Sequence, residues 1–292
     1  MRRLLIIGCG DVGLRMVRAL RRRWRIYALT HSESRHALLR AEGIVPVAGD
    51  LDCPETLDRL SGLAQDVVHF APPPGSGTRD TRTANLVRAL AKGRSLPQRM
   101  VYISTSGVYG DCGGAVVYET RRAKPSSDRA WRRLDAERQL RAWGVETGVH
   151  VSILRVPGIY AAERLPLARL RAGTPALETE QDPFTNHIHA DDLARTVIAA
   201  LSRGRGGRAY NASDDSRMKM GEYFDLVADQ FGLPHPPRIS REVADREVPG
   251  NALSFMRESR RLANHRLKKE LRVTLRYPSV TQGVIAARAR LA

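Results

Sequence analysis

The chain has 292 residues, 42% of them hydrophobic and 27% charged, which suits one large or two interlocked globular domains. Its 48 basic residues outnumber 31 acidic ones, giving a formal net charge of +17. Aromatic residues make up only 5%, and the arginines are spread along the whole chain, so a general arginine bias is favoured over a nucleic-acid surface. The charge retains a minor role in attracting small anionic ligands.

Membrane and metal functions find no support in the sequence. No run of about 18 apolar residues occurs, so no membrane-spanning helix is predicted. The cysteines, Cys9, Cys53 and Cys112, lack the spacing of a metal site or of a disulfide framework. We therefore expect reduced thiols, no bound metal and a cytoplasmic protein.

The first thirty residues predict a dinucleotide site. A short apolar run at residues 4–7 is typical of a buried parallel strand, and it leads through "GCGDVG" into a helical pattern. The first glycine permits a tight turn, the second leaves room for a pyrophosphate, and the third lets the helix pack closely on the sheet. The expected pyrophosphate loop comprises Gly8, Gly10, Asp11, Val12 and Gly13.

The end of the second predicted strand indicates which dinucleotide binds. An NAD site usually places an acidic residue there to hold the ribose hydroxyls, whereas this chain has Thr30, His31 and Ser32, with Arg35 just beyond. No carboxylate at this point would repel a 2′-phosphate, and hydroxyl, imidazole and guanidinium groups can bind one. The sequence therefore favours NADP over NAD.

Strand-like and helix-like patterns then alternate, which predicts an α/β fold: a Rossmann-type doubly wound parallel sheet with a smaller, interleaved C-terminal lobe. The later strands are expected to end at Asp50 and to cover residues 66–74, 99–110, 150–160 and 208–214, the stretch 99–110 running into a glycine-bearing loop. Helices are expected at 54–63, 81–92, 128–143 and 187–201. The NAD(P)-binding domain would comprise residues 1–160 and 186–213, and the substrate-side lobe residues 161–185 and 214–292.

Several segments carry a family resemblance in the right order: "GCGDVG", "AGDLDCP", "YISTSGVYGD", "LRVPGIY", "NHIHADDLA" and "YNASDD". The chain resembles the extended short-chain dehydrogenases/reductases, which include nucleotide-sugar epimerases and dehydratases. It is most similar to an atypical bacterial subgroup of NAD(P)-binding, epimerase-like proteins. The resemblance implies a small-molecule substrate, and it leaves room for a homodimer.

The resemblance also assigns roles to particular positions. It places Asp50 and Leu51 beside the adenine and lets Ala71 and Pro72 line the cofactor cleft. Pro157 would lie near the nicotinamide amide. Thr105 matches the hydroxyl that hydrogen-bonds the carbonyl or alcohol of the substrate.

The family's catalytic tyrosine and lysine, four residues apart on one helix, are both missing. The resemblance places Arg129 at the tyrosine and Arg133 at the lysine. Arginine can replace lysine as a cation and ribose donor, but it cannot replace tyrosine as an acid because guanidinium keeps its proton. Thr105, Arg129 and Arg133 are thus the candidate catalytic residues. Alternative acids are Tyr109, Tyr118, His187 or the substrate itself.

Three functions remain open on this evidence. The first is an NADP-dependent oxidoreductase or epimerase-like enzyme with an altered acid. The second is a binding module that senses NADP without turnover. The third is a nucleic-acid-associated protein that uses basic residues 257–276. This is the weakest hypothesis, because the same segment also predicts an amphipathic helix with Leu262, Leu267 and Leu271 facing inward.

Overall fold

A computed structural model describes residues 1–20, 24–93, 95–247, 253 and 256–291. Its centre is a seven-stranded parallel sheet in the order β7-β6-β5-β4-β1-β2-β3. The strands are β1 (Arg2–Ile7), β2 (Trp24–Thr30), β3 (Val45–Ala48), β4 (Asp66–His69), β5 (Arg99–Thr105), β6 (His150–Val156) and β7 (Ala209–Asn211). The strand order reverses between β1 and β4, which confirms the doubly wound α/β fold.

Helices cover both faces of this sheet because its strands are apolar on both sides. In β1, Leu4 and Ile6 pack into a core with α1 and α6, while Leu5 and Ile7 point to the opposite core with α3 and α4. The helices are α1 (Asp11–Ala19), α2 (His36–Ala41), α3 (Thr81–Ala91), α4 (Asp128–Thr147), α5 (Leu167–Arg171), α6 (Ala190–Arg203), α7 (Met220–Phe231), α8 (Arg241–Glu247), α9 (His265–Lys269) and α10 (Val280–Leu291).

A separate apolar cluster lies away from the sheet, where α5, α7 and α10 pack together. Short strand pairs tie these segments to the rest of the chain. The parallel pairs are Gly158–Tyr160 with His187–His189, Ala176–Leu177 with Arg238–Ile239, and Val116–Val117 with Arg261–Leu262; Phe184–Thr185 pairs with Met218–Lys219 in antiparallel fashion. None of the helices in the described ranges is long and apolar enough to cross a membrane.

Several predicted elements differ from the structure in extent. The third strand ends at Ala48 rather than Asp50, and residues 54–63 form a 3₁₀ helix over Pro54–Leu60. The predicted strand at 150–160 is interrupted at Pro157, because its second half leaves the sheet to pair with His187–His189. Those residues therefore form a strand, and the helix predicted from 187 begins at Ala190.

The prediction of one amphipathic helix within residues 257–276 is wrong. The described chain forms the strand Arg261–Leu262 and the short helix α9 instead. Leu267 and Leu271 are fully buried against the core of the sheet, which explains the apolar spacing without one continuous helix.

Candidate functional site

The candidate site is a groove along the carboxyl ends of the strands, where parallel sheets with this order bind ligands. Three adjoining cavities form it. The side pocket, about 380 Å³, lies at the ends of β2 and β3, and the glycine cleft, about 490 Å³, lies at the ends of β1, β4 and β5. The arginine cavity, about 600 Å³, lies between α4 and the segments around Phe184, Met220 and Arg260.

The glycine loop has the geometry of a phosphate cradle. Gly8 adopts φ +81°, and a Cβ there would lie 2.6 Å from the backbone nitrogen of Ala71. Gly10 has φ −86°, and a Cβ there would meet nothing within 4 Å, so the space above it is open. Helix α1 starts at Asp11 without a side-chain cap, which leaves its first N–H groups to a ligand. The loop therefore fits a dinucleotide pyrophosphate.

The one carboxylate of this loop is balanced by arginines. Arg15 donates to Asp11 at 2.9 Å and to Asp191, in the first turn of α6, at 2.6 Å. Arg164 forms an ion pair with Asp11 at 3.1 Å and lines both the glycine cleft and the arginine cavity. The negative charge beside the cradle is thus compensated from two directions.

The side pocket collects most of the residues expected at the adenosine end. Thr30, His31, Asp50 and Leu51 line it together, as do Gly8, Ala71 and Pro72, which also line the glycine cleft. A carboxylate on its rim, that of Asp52, is engaged by Arg82 at 2.6 Å, and the Arg82 hydrogen bond lowers the pKa of that carboxyl.

Arg35 lines the glycine cleft rather than the side pocket that contains Thr30 and His31. Its guanidinium donates to the carbonyl of Cys9 at 2.6 Å and lines the glycine cleft, beside the cradle. A cation therefore stands next to the glycine loop, where it can reach a phosphate of the cofactor.

Thr105 closes β5 at the boundary between the glycine cleft and the arginine cavity. Its hydroxyl oxygen accepts a hydrogen bond from the N–H of Gly107 at 3.2 Å, which starts the 3₁₀ turn Ser106–Tyr109. A hydroxyl that accepts from the backbone still has its own proton to donate. Thr105 is thus placed to donate to an oxygen of a bound molecule.

The two arginines expected at the positions of the family pair, Arg129 and Arg133, both line this region. Arg133 donates to the carbonyl of Ile103 at 2.9 Å and to the hydroxyl of Tyr102 at 3.2 Å, and it lines both cavities. Arg129, one turn earlier on α4, lines the arginine cavity. Pro157 lines both cavities from the other side.

A buried network supports the strand that carries Thr105. Glu137 accepts from Ser104 at 2.7 Å, from Arg155 at 2.7 and 3.0 Å, and from Arg141 at 3.1 Å. Burial opposes the charge of Glu137, but Arg155, Arg141 and Ser104 together outweigh it and hold the pKa of this carboxyl below its ordinary value. The network fixes β5, β6 and α4 relative to one another.

None of the alternative acids lines the groove. Tyr109 is 1% exposed and donates to Asn211 at 2.8 Å, and Tyr118 lies on the surface against the ring of His265. His187 is buried against Tyr223, and this burial lowers its pKa to about 4. None of these three side chains therefore faces the groove, which leaves the substrate as the remaining alternative.

Sequence reasoning missed the residues that give the third cavity its charge. Arg132, Arg164 and Arg260 line it together with Arg129 and Arg133, and Glu258 is its one carboxylate within the described ranges. Arg132 and Arg260 are 7% and 9% exposed. No local motif marks them, because they come from segments far apart in the chain. The run "RESRR" belongs to the basic segment 257–276, which predicts a solvated arginine face or a nucleic-acid contact rather than the wall of a cavity.

These features define the chain as a Rossmann-type protein with a dinucleotide cradle. The sequence pattern of the NAD dependent epimerase/dehydratase family matches residues 4–213, and the chain belongs to that family. Its fold and glycine loop are those of an NAD(P)-binding, oxidoreductase-like protein.

Individual relatives agree with this assignment. Protein YeeZ of Escherichia coli K12 is 27% identical over 247 residues, which cover 81% of this chain and 86% of that protein. The dTDP-glucose 4,6-dehydratase of Mycobacterium tuberculosis H37Rv is 28% identical over 244 residues, covering 74% and 73%.

Solved structures share the fold across the whole chain. A functionally unknown conserved protein from Silicibacter pomeroyi DSS has 27% identity and a TM-score of 0.81, covering 100% of this chain and 99% of that chain. The UDP-glucuronic acid 4-epimerase of Bacillus cereus, in complex with NAD, has 16% identity and a TM-score of 0.78, covering 98% and 96%.

Proposed function

We propose that this protein is an NADP-dependent oxidoreductase or epimerase-like enzyme that acts on a hydroxyl or carbonyl group of a small anionic molecule. The observation that carries the proposal is the continuity of the groove. Gly8 and Pro72 belong to both the side pocket and the glycine cleft, and Thr105 and Arg133 belong to both the cleft and the arginine cavity. An extended dinucleotide would fit this path with its reactive end beside Thr105.

The preference for NADP is supported by the charges around the adenosine end. Thr30 and His31 occupy the end of β2, and the rim carboxylate of Asp52 is already paired with Arg82. Arg35 adds a cation beside the glycine loop. These groups favour a 2′-phosphate, although the matching family is described as NAD dependent.

The chain's own residues would then orient the substrate. When bound, the nicotinamide exchanges a hydride with the carbon that carries the reacting oxygen. Thr105 donates its hydroxyl proton in a hydrogen bond to that oxygen, and Arg133 fixes the neighbouring strand ends through the carbonyl of Ile103. Arg129 can polarise a carbonyl but cannot supply a proton, so the proton would come from the substrate itself or from solvent.

A non-catalytic NADP sensor is the alternative function. The observation that favours it is that no tyrosine of the described chain lines any of the three cavities. Such a module would bind the cofactor as tightly as an enzyme and would report it through the segments around the arginine cavity.

The first experiment measures NADPH and NADH binding by fluorescence, with Arg35→Gln and the exposed Arg40→Gln as a matched control of equal charge change. We expect NADPH to bind at least tenfold more tightly than NADH, and Arg35→Gln to remove about tenfold of that preference, roughly 1.4 kcal/mol. Arg40→Gln should leave both affinities within twofold. If neither cofactor binds the wild type, the proposal is wrong.

Turnover separates the enzyme from the sensor. Wild type, Thr105→Val and Thr105→Ser are assayed for NADPH oxidation and NADP reduction with hydroxy acids, keto acids and sugar phosphates. Loss of kcat in the valine variant with recovery in the serine variant would support the enzyme. Tight NADPH binding with no turnover on the whole panel would favour the sensor.

Three further predictions belong to this proposal. The two-lobe division is supported by the separate apolar cluster of α5, α7 and α10. A cytoplasmic location is supported by Cys9, Cys53 and Cys112, which form no disulfides. The homodimer stays a prediction that light scattering would test.

A further inference from the structure

The arginine cavity contains a buried cation without a counter-ion. Three arginines of the described ranges are more than nine-tenths buried: Arg132, Arg155 and Arg260. Arg155 is paired with Glu137 and Arg260 with Glu258, each at 2.7 Å. Arg132 forms no ion pair with any described acidic residue. Its one described hydrogen bond goes to the carbonyl of Gly77 at 2.5 Å, and its Nε is buried without a partner.

Burial makes this arrangement significant. A charge taken out of water is strongly unfavourable unless a counter-ion compensates it. The arginine bias of the sequence explains exposed arginines, because they stay solvated, but it does not explain a guanidinium that is 7% exposed on the wall of a cavity. A bound anion would supply the missing compensation.

The surrounding charges point in the same direction. Arg133 and Arg164 also line the glycine cleft, so the phosphates of a cofactor can engage them. Arg129, Arg132 and Arg260 line the arginine cavity and not that cleft, and Glu258 opposes them with a single negative charge. The substrate side therefore keeps a surplus of positive charge after a cofactor is bound.

We propose that Arg132, assisted by Arg129 and Arg260, forms an oxyanion site that binds a phosphate or carboxylate group of the substrate. Arg129 and Arg132 lie three residues apart on α4 and so share a face, near the positive end of the helix dipole. This inference rests on the proposed function in taking the cavity as the substrate side. The substrate is then an acid or a phosphorylated molecule whose anionic group lies close to its reacting carbon.

The test is calorimetric titration of NADPH-saturated protein at fixed ionic strength, with inorganic phosphate and malonate as probes. We expect one site per chain in the wild type and at least tenfold weaker binding in Arg132→Gln. The control is Arg138→Gln, an exposed arginine on the same helix that contacts Trp131 outside the cavity. It should change the affinity less than twofold. Tighter binding of phosphate would indicate a phosphorylated substrate, and tighter binding of malonate a carboxylate.

Equal anion affinities in wild type and Arg132→Gln would overturn the proposal. Equal losses of anion affinity in Arg132→Gln and Arg138→Gln would also overturn it, because they would show a general effect of charge. Absence of anion binding in the wild type would also overturn it. If Arg132→Gln does not fold, the variant Arg129→Gln, at an exposed position, takes its place. We expect it to bind the anion at least threefold more weakly, and an unchanged anion affinity would overturn the proposal.

The NADPH affinity is measured separately on the same samples. Unchanged NADPH affinity together with unchanged anion affinity in Arg132→Gln would reject the oxyanion site and leave the proposed function standing. If the wild type binds no NADPH, the proposed function fails, and the same titrations on cofactor-free protein still decide the anion site.

Discussion

Replacing Gly10 by alanine should weaken cofactor binding without harming the fold. Gly10 has φ −86°, which alanine adopts readily, and the new Cβ would meet no protein atom within 4 Å. Alanine also restricts the unfolded chain, so we expect a gain of about 0.4–1 kcal/mol in the free energy of unfolding. For a chain of this length that is a rise of roughly 1 °C in Tm.

The effect on the ligand runs the other way. The open space above Gly10 is where a pyrophosphate must approach the N–H groups at the start of α1. A methyl group there separates the phosphate from its donors, and we expect NADPH affinity to fall at least tenfold, about 1.4 kcal/mol.

Gly8→Ala is the matched comparison in the same loop. At φ +81°, alanine is strained by about 1–2 kcal/mol, and its Cβ would lie 2.6 Å from the nitrogen of Ala71, a backbone atom that cannot move alone. We expect a loss of more than 2 kcal/mol in the free energy of unfolding. Gly8→Ala should thus lower the stability of the fold, whereas Gly10→Ala should lower only the affinity for NADPH.

The assay is urea unfolding and NADPH fluorescence titration on wild type and both variants. The reasoning is refuted if Gly10→Ala keeps its NADPH affinity within twofold, because the phosphate then does not lie above Gly10. It is equally refuted if Gly10→Ala unfolds as easily as Gly8→Ala, because the space above Gly10 is then not open.

Two further predictions concern buried charges. Glu137→Gln leaves Arg155 buried without a counter-ion and should lower the free energy of unfolding by about 3–5 kcal/mol in urea, while Asp58→Asn, in an exposed pair with Lys92, should change it little. Burial raises the pKa of Asp214 from 3.8 to about 7, so its folded state holds a proton that the unfolded chain releases, and stability is lost as pH rises towards 7. The free energy of unfolding of Asp214→Asn, measured relative to wild type, should therefore rise by about 2–3 kcal/mol from pH 5 to pH 8. The same rise in the exposed Asp215→Asn would contradict this assignment.

The sheet could be predicted from the sequence because each central strand is buried on both faces. Such strands are continuous apolar runs, and "LLII" is recognisable without knowing its neighbours. The strand His187–His189 could not be predicted in the same way. It is three residues long and depends on pairing with Gly158–Tyr160, about thirty residues earlier, whereas the sequence after it gives a strong helical pattern.

The same distinction holds within the site. The cradle is local: the glycine pattern and the residues flanking it lie in one short segment, and most of the residues assigned to the adenosine end line one pocket. The arginine cavity is not local, because Arg132 on α4 and Arg260, beside the strand Arg261–Leu262, come to line one cavity only when the chain folds. Arg132 is also indistinguishable by sequence from its less buried neighbours Arg129 and Arg133, since burial of one arginine among three is decided by packing.

The network behind Thr105 shows why stability and catalysis must be tested at different residues. Ser104, Glu137 and Arg155 satisfy one another in the core, so a chain without any activity would still retain them, because breaking the ion pair costs several kcal/mol. Thr105 is different: its contact with the N–H of Gly107 contributes about 1 kcal/mol, and serine preserves it. Loss of turnover in Thr105→Val beyond this small change in stability would therefore be evidence of chemistry, which the intact network alone cannot provide.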